Sequence, residues 1–263
     1  MDFYNKDLSS FFDESGKNYD PPLAEMKELL LSYLTPEIIK DKIILDAGCG
    51  IGLASLIFGL WSAKEVVGLD ISAASIQKAE ILKKKYQADK VKFLMTDLDK
   101  IGWPDNYFDF IFSRGVSFYA SDLKSYLNKL AKITKPNGFL IIDFVRATKI
   151  TYLTEKIRKI FRLIPRSYQK KLSQILSFIS FPLIKMLLGK KAKLVGGKNV
   201  EQMFYEHFFS PIEMKTTSID EIKIILGPNY LITDLNVPNI GLHSPKTSFY
   251  LKIIKKSDEN TLN

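Results

Sequence analysis

The chain has 263 residues, 46% hydrophobic and 25% charged, which suits one large folded core and excludes a disordered, highly charged chain. Its 38 Lys and Arg against 29 Asp and Glu give a net charge of +9, so an anionic partner has to be considered. One cysteine, Cys49, rules out a disulfide within the chain and fits a reducing compartment, and with only two histidines an ordinary zinc site is excluded as well.

In chain order, Met1-Asp2-Phe3-Tyr4-Asn5 lacks a basic-then-apolar signal, and no charge-free run reaches membrane-spanning length. The expected location is cytoplasmic, at most peripheral on a membrane. The run Ile43-Ile44-Leu45 predicts a buried strand, followed by Asp46-Ala47-Gly48-Cys49-Gly50-Ile51-Gly52 and an apolar helix from Leu53 to Leu60. Glycine is expected where a ligand touches the main chain or where the turn forbids a Cβ. The spacing G-x-G-x-G differs from the dinucleotide fingerprint G-x-G-x-x-G, and the Lys-Ser/Thr of a P-loop is absent. The loop therefore suits a ligand with a charged amino-acid end rather than a pyrophosphate. Cys49 reads as a small residue tolerated between glycines.

Val66 to Asp70 predicts a second strand ending in a carboxylate, placed to accept hydrogen bonds from ribose hydroxyls. A helix over Ser72–Tyr86, a strand over Val91–Met95, a fourth strand at Phe110-Ile111-Phe112, a helix over Asp122–Ile133 and a fifth strand over Phe139–Phe144 follow. Strands alternating with helices imply a parallel sheet. Near the end, Ser210-Pro211 signals a helix over Ile212–Leu226, and Tyr230–Val237 and Phe249–Ile254 read as the last strands.

The stretch 146–198 stands apart, with 14 Lys or Arg against the single acid Glu155, a net of +13 that leaves the rest of the chain at −4. Leu153, Ile157, Ile160, Phe161 and Ile164 recur at helical spacing with Lys156, Arg158, Lys159 and Arg162 between them. After Pro165, Tyr168, Leu172, Ile175, Leu176, Ile179 and Leu183 resume the pattern, and Ile175–Ile184 carries no charge. Three readings stay open. The segment is a lid whose apolar face covers a pocket, an interfacial element meeting anionic lipid, or an RNA-binding face. The last is the weaker, since Ile and Leu rather than exposed aromatics lie between the charges.

Taken together, the motifs resemble the class I S-adenosylmethionine (SAM) methyltransferases, the small-molecule and lipid branch in particular. Asp46 to Gly52 resembles their motif I. Pro104 to Asp109 resembles their P-x-x-x-F-D approach to strand four, and Lys135-Pro136-Asn137-Gly138 their K-P-x-G turn before strand five. Ser113-Arg114-Gly115-Val116 looks like their S-x-G-V, although Phe118-Tyr119 departs from the His-His pair that often follows. The resemblance covers residues 40–145 well, 206–255 moderately and the insert not at all.

The resemblance implies an α/β Rossmann-like fold, with a seven-stranded, mostly parallel sheet and an antiparallel C-terminal edge hairpin, to which the insert's own periodicity adds a helical cap after strand five. The implied division is a SAM-binding core over 1–145, a basic amphipathic cap over 146–205, a completing helix and strands over 206–256 and a disordered tail over 257–263. The implied cofactor is SAM, leaving as S-adenosylhomocysteine, with no metal. Asp46, Gly48, Gly50 and Gly52 would serve its amino-acid end, Asp70 the ribose, Asp97 the adenine amino group and Leu98 the ring. Ile71, Ser113 and Tyr19 complete the cofactor set, Tyr19 from an N-terminal segment that folds over the cofactor in such enzymes. Tyr119 would position the acceptor or face the sulfonium, and His207, at the insert's edge, would act as general base. His243 reads as structural.

The implied reaction is methyl transfer to O or N of a small-molecule or lipid-like acceptor, the insert lying against an anionic membrane in one reading. The alternatives are an RNA methyltransferase using the basic insert, aminopropyl transfer, or a non-catalytic scaffold. An Asn/Asp-Pro-Pro-Tyr/Phe motif is missing after strand four, which argues against amino-methylation of adenine or glutamine. Aminopropyl transfer would want an extra acidic pair, and a scaffold would be expected to have lost the glycines or Asp70.

Overall fold

The computed structural model describes residues 23–100, 102–165, 167–169, 171–176, 178–179, 214–235, 237 and 248–257. Tyr19, His207 and His243 lie outside them.

Seven strands form one sheet: β1 (Ile43–Ala47), β2 (Glu65–Asp70), β3 (Val91–Met95), β4 (Phe108–Ser113), β5 (Thr134–Val145), β6 (Tyr230–Asp234) and β7 (Ser248–Lys255). Their order is β3-β2-β1-β4-β5-β7-β6. β1 to β5 pair in parallel, while β7 runs antiparallel between β5 and β6. This is the Rossmann-like sheet with its antiparallel edge hairpin.

Among the described residues lie the helices α1 (Leu23–Leu31), α2 (Pro36–Ile39), α3 (Leu53–Leu60), α4 (Ala73–Tyr86), α5 (Leu123–Ile133), α6 (Lys149–Phe161) and α7 (Ile219–Leu226). Residues of one parity from the central strands, such as Ile44, Val66, Phe110 and Phe112, pack under α1, α3 and α4. Those of the other parity, such as Leu45, Ile111, Leu140 and Ile142, pack under α5 and α7. Phe58 anchors the first layer, its ring meeting Phe110 and Phe112 edge-on at 5.4 and 5.5 Å. Burying such a side chain contributes roughly 1.5–3 kcal/mol, so alternation along buried strands fixes their register.

Helix starts follow side-chain capping. Ser72 accepts from the Ser75 amide at the head of α4, and Asp122 from the Lys124 amide at the head of α5.

Three local expectations are corrected. Lys135-Pro136-Asn137-Gly138 does not precede β5 but lies inside it, where the register against β4 jumps from Phe108↔Thr134 to Phe110↔Phe139. A Cβ on Gly138 would fall 2.8 Å from the Lys135 carbonyl oxygen, so the kinked strand requires glycine there. The C-terminal helix starts at Ile219 rather than Ile212, because Ser218 caps it through the Glu221 amide and Thr217 is held in a bridge to Arg146. β6 ends at Asp234, before Val237.

The insert is described in part. The Arg146–Thr217 bridge, with the Thr217 amide donating to the Val145 carbonyl, joins the segment's root to the chain returning from it. α6 leaves this root with a capping box at Thr148 and Thr151, and residues 167–169, 171–176 and 178–179 are helical as well. Of the apolar stripe, Phe161 and Ile164 are half-buried. Thr151 and Arg158 are buried and Glu155 half-buried, while Leu153, Ile157 and Ile160 are exposed. No helix among the described residues is long and apolar enough to cross a membrane.

Candidate functional site

The C-terminal ends of β1, β2 and β4 hold the glycine loop. Gly48, Gly50 and Gly52 adopt φ of +80°, +55° and +81°, a left-handed region that disfavours side chains. The amides of Gly48 and Cys49 both donate to the Leu69 carbonyl at 2.8 and 2.7 Å, so the loop is pinned to β2.

The three glycines serve different ends. A Cβ on Gly48 would sit 2.1 Å from Val116 Cγ2, and one on Gly52 would sit 2.4 Å from Phe93 Cζ. Those two are required by protein packing. A Cβ on Gly50 would meet nothing within 4 Å, so among the three only this position opens onto free space.

Asp70 borders that space. One carboxylate oxygen accepts from the Gly50 amide and the other from the Ser72 amide, each at 2.8 Å. Burial raises its pKa, against the lowering effect of the backbone amides of Ser72, Gly50 and Ile71. Ile71, beside it, is exposed, and Asp97 and Leu98 follow the end of the neighbouring strand β3, both half-buried. Asp70 pairs in register with Met95, two residues before Asp97, so the carboxylates of Asp70 and Asp97 belong to adjacent strand ends. Leu98 also packs on the core beneath α5.

Two predicted cofactor residues have side chains engaged with protein. Asp46 is 2% exposed, and its Oδ2 accepts from both the amide and the hydroxyl of Ser55 at 3.1 and 2.5 Å. It fastens the first turn of α3, where a carboxylate is favoured, and so shapes the loop from beneath. Burial pushes its pKa up to about 7, despite the Ser55 bonds. Ser113 is fully buried, its hydroxyl donating to the Ala47 carbonyl at 2.9 Å and sharing a 2.5 Å bond with Tyr126. Its side chain thus ties β4 to β1 and α5. Burial, with Asp46 and Asp70 nearby, pushes the Cys49 thiol well above its ordinary value, which disfavours the thiolate form.

Beyond β4, Gly115 takes φ +79° and a short 3-10 turn, Ser117–Tyr119, follows. Val116 from this loop is the residue that fills the space above Gly48. Phe118 is buried and Tyr119 half-buried, their rings 4.7 Å apart. The chain returning from the insert docks here, the Lys215 amide donating to the Phe118 carbonyl at 2.8 Å. Tyr119 therefore lies where the glycine loop, the β4 loop and the insert's root converge.

Sequence reasoning missed a polar row beside this point. Arg114 Nε donates to Tyr250 Oη at 3.0 Å, and Asp143 accepts from the Gly115 amide at 2.7 Å. Burial raises the Asp143 pKa to about 6, against the amide bond and the positive charge of Arg114. Tyr33, its ring 5.9 Å from that of Tyr250, holds a buried hydroxyl without a hydrogen-bond partner. A signal was present. Asp143 interrupts the apolar run of β5, and such an acid is costly unless paired.

The P-x-x-x-F-D and K-P-x-G motifs, at the other end of the sheet, serve a structural purpose. Asp109 of P-x-x-x-F-D accepts from the Ile43 amide at 2.8 Å and pairs with Lys135 of K-P-x-G at 2.9 Å. Burial would raise its pKa, but the Ile43 amide and Lys135 more than offset it, so the carboxyl titrates low. The two motifs thus clip β1, β4 and β5 together. Among the described residues no cluster of His, Cys, Asp and Glu is placed to hold a metal ion.

Sheet order, glycine loop and strand-end acids together define a class I Rossmann-like methyltransferase scaffold. Residues 38–206 match the family described as "Methyltransferase domain", and the chain belongs to that family of SAM-dependent methyltransferases. Sterol 24-C-methyltransferase of Saccharomyces cerevisiae is 28% identical over 165 residues, 60% of this chain and 43% of the relative. The mitochondrial ubiquinone biosynthesis O-methyltransferase of Dictyostelium discoideum is 25% identical over 191 residues, 63% of this chain and 59% of the relative. The chain thus spans only about two to three fifths of these relatives' length. Magnesium protoporphyrin IX methyltransferase from Synechocystis PCC 6803, crystallised with bound S-adenosylhomocysteine, shares the fold with a TM-score of 0.62 at 14% identity, 97% of each chain being covered.

Proposed function

We propose that this chain transfers the methyl group of SAM to oxygen or nitrogen of a small-molecule or lipid-like acceptor. The observation that carries the reading is the open space at Gly50 beside the Asp70 carboxylate, in a loop whose other two glycines are filled by protein. SAM, when bound, supplies a methyl group on a sulfonium leaving group.

The chain's own task is then alignment. The Asp70 carboxylate accepts from the Gly50 and Ser72 amides, with the Ile71 amide close by, and keeps lone-pair capacity for a ribose hydroxyl. The half-buried setting strengthens such charge-assisted bonds. Asp97, Leu98 and Ile71 would meet the adenine from the adjoining strand ends. Arg114, oriented by Tyr250, supplies positive charge at the same end of the sheet for the cofactor's carboxylate. Tyr119 lies where an acceptor would approach. His207 and Tyr19 remain proposals of the sequence, as base and as cofactor cover.

The acceptor class is supported by relatives named for sterol and ubiquinone chemistry and by a fold neighbour named for a porphyrin. The test supplies methyl-labelled SAM together with lipid extract, polar small molecules or RNA in separate reactions. Label should enter the lipid or small-molecule fraction and be lost in Asp70→Ala. Label entering RNA alone would establish the RNA reading, and SAM binding without transfer to any fraction would establish the scaffold.

A further inference from the structure

Helix α6 is inside out. Its inward arc carries Thr151, Thr154, Glu155, Arg158 and Arg162, and Arg158 is 0% exposed. Glu155 lies 3.5 Å from Arg158 and also pairs with Arg162, so the segment's single acid faces the protein. The outward arc carries Leu153, Ile160 and Leu163 at 58, 63 and 83% exposure, with Tyr152 and Ile157 beside them. The helical residues beyond continue the pattern, with Tyr168, Ile175, Phe178 and Ile179 all exposed.

Keeping an Arg–Glu pair inside and a row of large aliphatic side chains outside opposes the usual sorting, in which helices bury the apolar stripe. A contiguous exposed apolar surface of this kind marks an interaction site. Lys149, Lys156 and Lys159 are exposed on α6, Lys156 over the Tyr152 ring at 4.6 Å, and Lys171 is exposed farther on.

We propose that α6 and the helical residues to 179 form an interfacial surface for an anionic lipid bilayer. Leu153, Ile157, Ile160 and Leu163 enter the headgroup boundary while the lysines reach lipid phosphates. Charge complementarity selects this occupant. The stretch 146–198 has a net charge of +13, and its single acid is turned inward, so a second copy of the chain would set like charge against like. Each basic residue near an anionic surface strengthens attachment roughly fivefold. The surface concerns where the protein sits, and it does not depend on which atom is methylated.

The test is co-sedimentation of the full chain with phosphatidylcholine vesicles, with and without phosphatidylglycerol. Binding should be at least tenfold stronger to the anionic vesicles and should weaken as salt rises. The triple variant Leu153→Ser/Ile157→Ser/Ile160→Ser should lose that binding tenfold or more, with its melting temperature and SAM affinity unchanged because the altered side chains are exposed. Lys156→Gln/Lys159→Gln, which keeps the apolar arc, should bind less and depend less on salt. Three results would overturn the proposal: equal indifference to both vesicle types, undiminished vesicle binding by the serine variant, or a wild-type dimer that the serine variant dissolves.

Discussion

At the glycine loop the chain sorts its atoms conventionally, apolar side chains packed beneath and backbone left open above Gly50. In α6 the sorting is reversed, with Arg158 buried and Leu153, Ile160 and Leu163 in solvent. The loop is complete as a binding site once a ligand of the right shape arrives, because protein packing already fixes Gly48 and Gly52. The helix instead leaves an apolar arc exposed, which the proposed bilayer would cover.

The sharpest way to break the comparison is to substitute the packed glycines. Gly52→Ala forces a side chain into φ +81° and against Phe93, combining left-handed strain with overpacking for a loss of about 2–5 kcal/mol. Thermal unfolding should show a marked drop in Tm. Gly50→Ala, with only the strain at φ +55°, should cost about 1–2 kcal/mol. Similar losses at both positions would erase the distinction between packing and ligand glycines.

Asp109→Ala comes next. It removes the acceptor for the Ile43 amide and the partner of Lys135, an expected loss of about 1–3 kcal/mol. Denaturant unfolding should register it, with SAM affinity unchanged because this clip lies at the opposite end of the sheet. A fall in affinity with intact stability would move the clip into the site.

The pH dependence gives a smaller, signed effect. Asp46 and Asp143 have folded pKa values raised to about 7 and about 6, above the unfolded value of about 4. The folded state therefore holds these protons more tightly, and the groups' contribution to stability falls as pH rises from about 4 to about 7. Asp46→Asn keeps an acceptor for Ser55 and removes the titration, so its Tm relative to wild type should improve across that interval. A constant difference would show that folding does not raise the Asp46 pKa. Least of all, Leu163→Ser should change stability by no more than about 0.5 kcal/mol, as expected of a surface site. A larger loss, measured by the same melts, would place Leu163 against protein.

The sequence made the sheet legible because strand-length apolar runs alternate with helix-length segments. β3 falls on Val91–Met95 as predicted, and α4 and α5 begin one residue after the caps Ser72 and Asp122. The loop was legible as a motif but not in its division of labour. That Phe93 fills the space over Gly52 and Val116 the space over Gly48 is a property of three-dimensional neighbours. For the same reason Asp46 and Ser113 read as ligands although their side chains serve Ser55, Ala47 and Tyr126. Tyr33, Arg114, Asp143 and Tyr250 come from four separate stretches, so no local pattern joins them. In α6, periodicity revealed two faces, and their chemistry alone could not show which one points inward.

The central claim is that the space at Gly50, bordered by Asp70, receives SAM. Calorimetric titration of S-adenosylhomocysteine into wild type, Asp70→Ala and Gly50→Ala tests it directly. Removing a charge-assisted acceptor is worth about 1.5–3 kcal/mol, so Asp70→Ala should bind at least tenfold more weakly. Gly50→Ala, which fills the open space, should bind at least as weakly while remaining folded by circular dichroism. Folded variants that bind with the wild-type affinity would contradict the account.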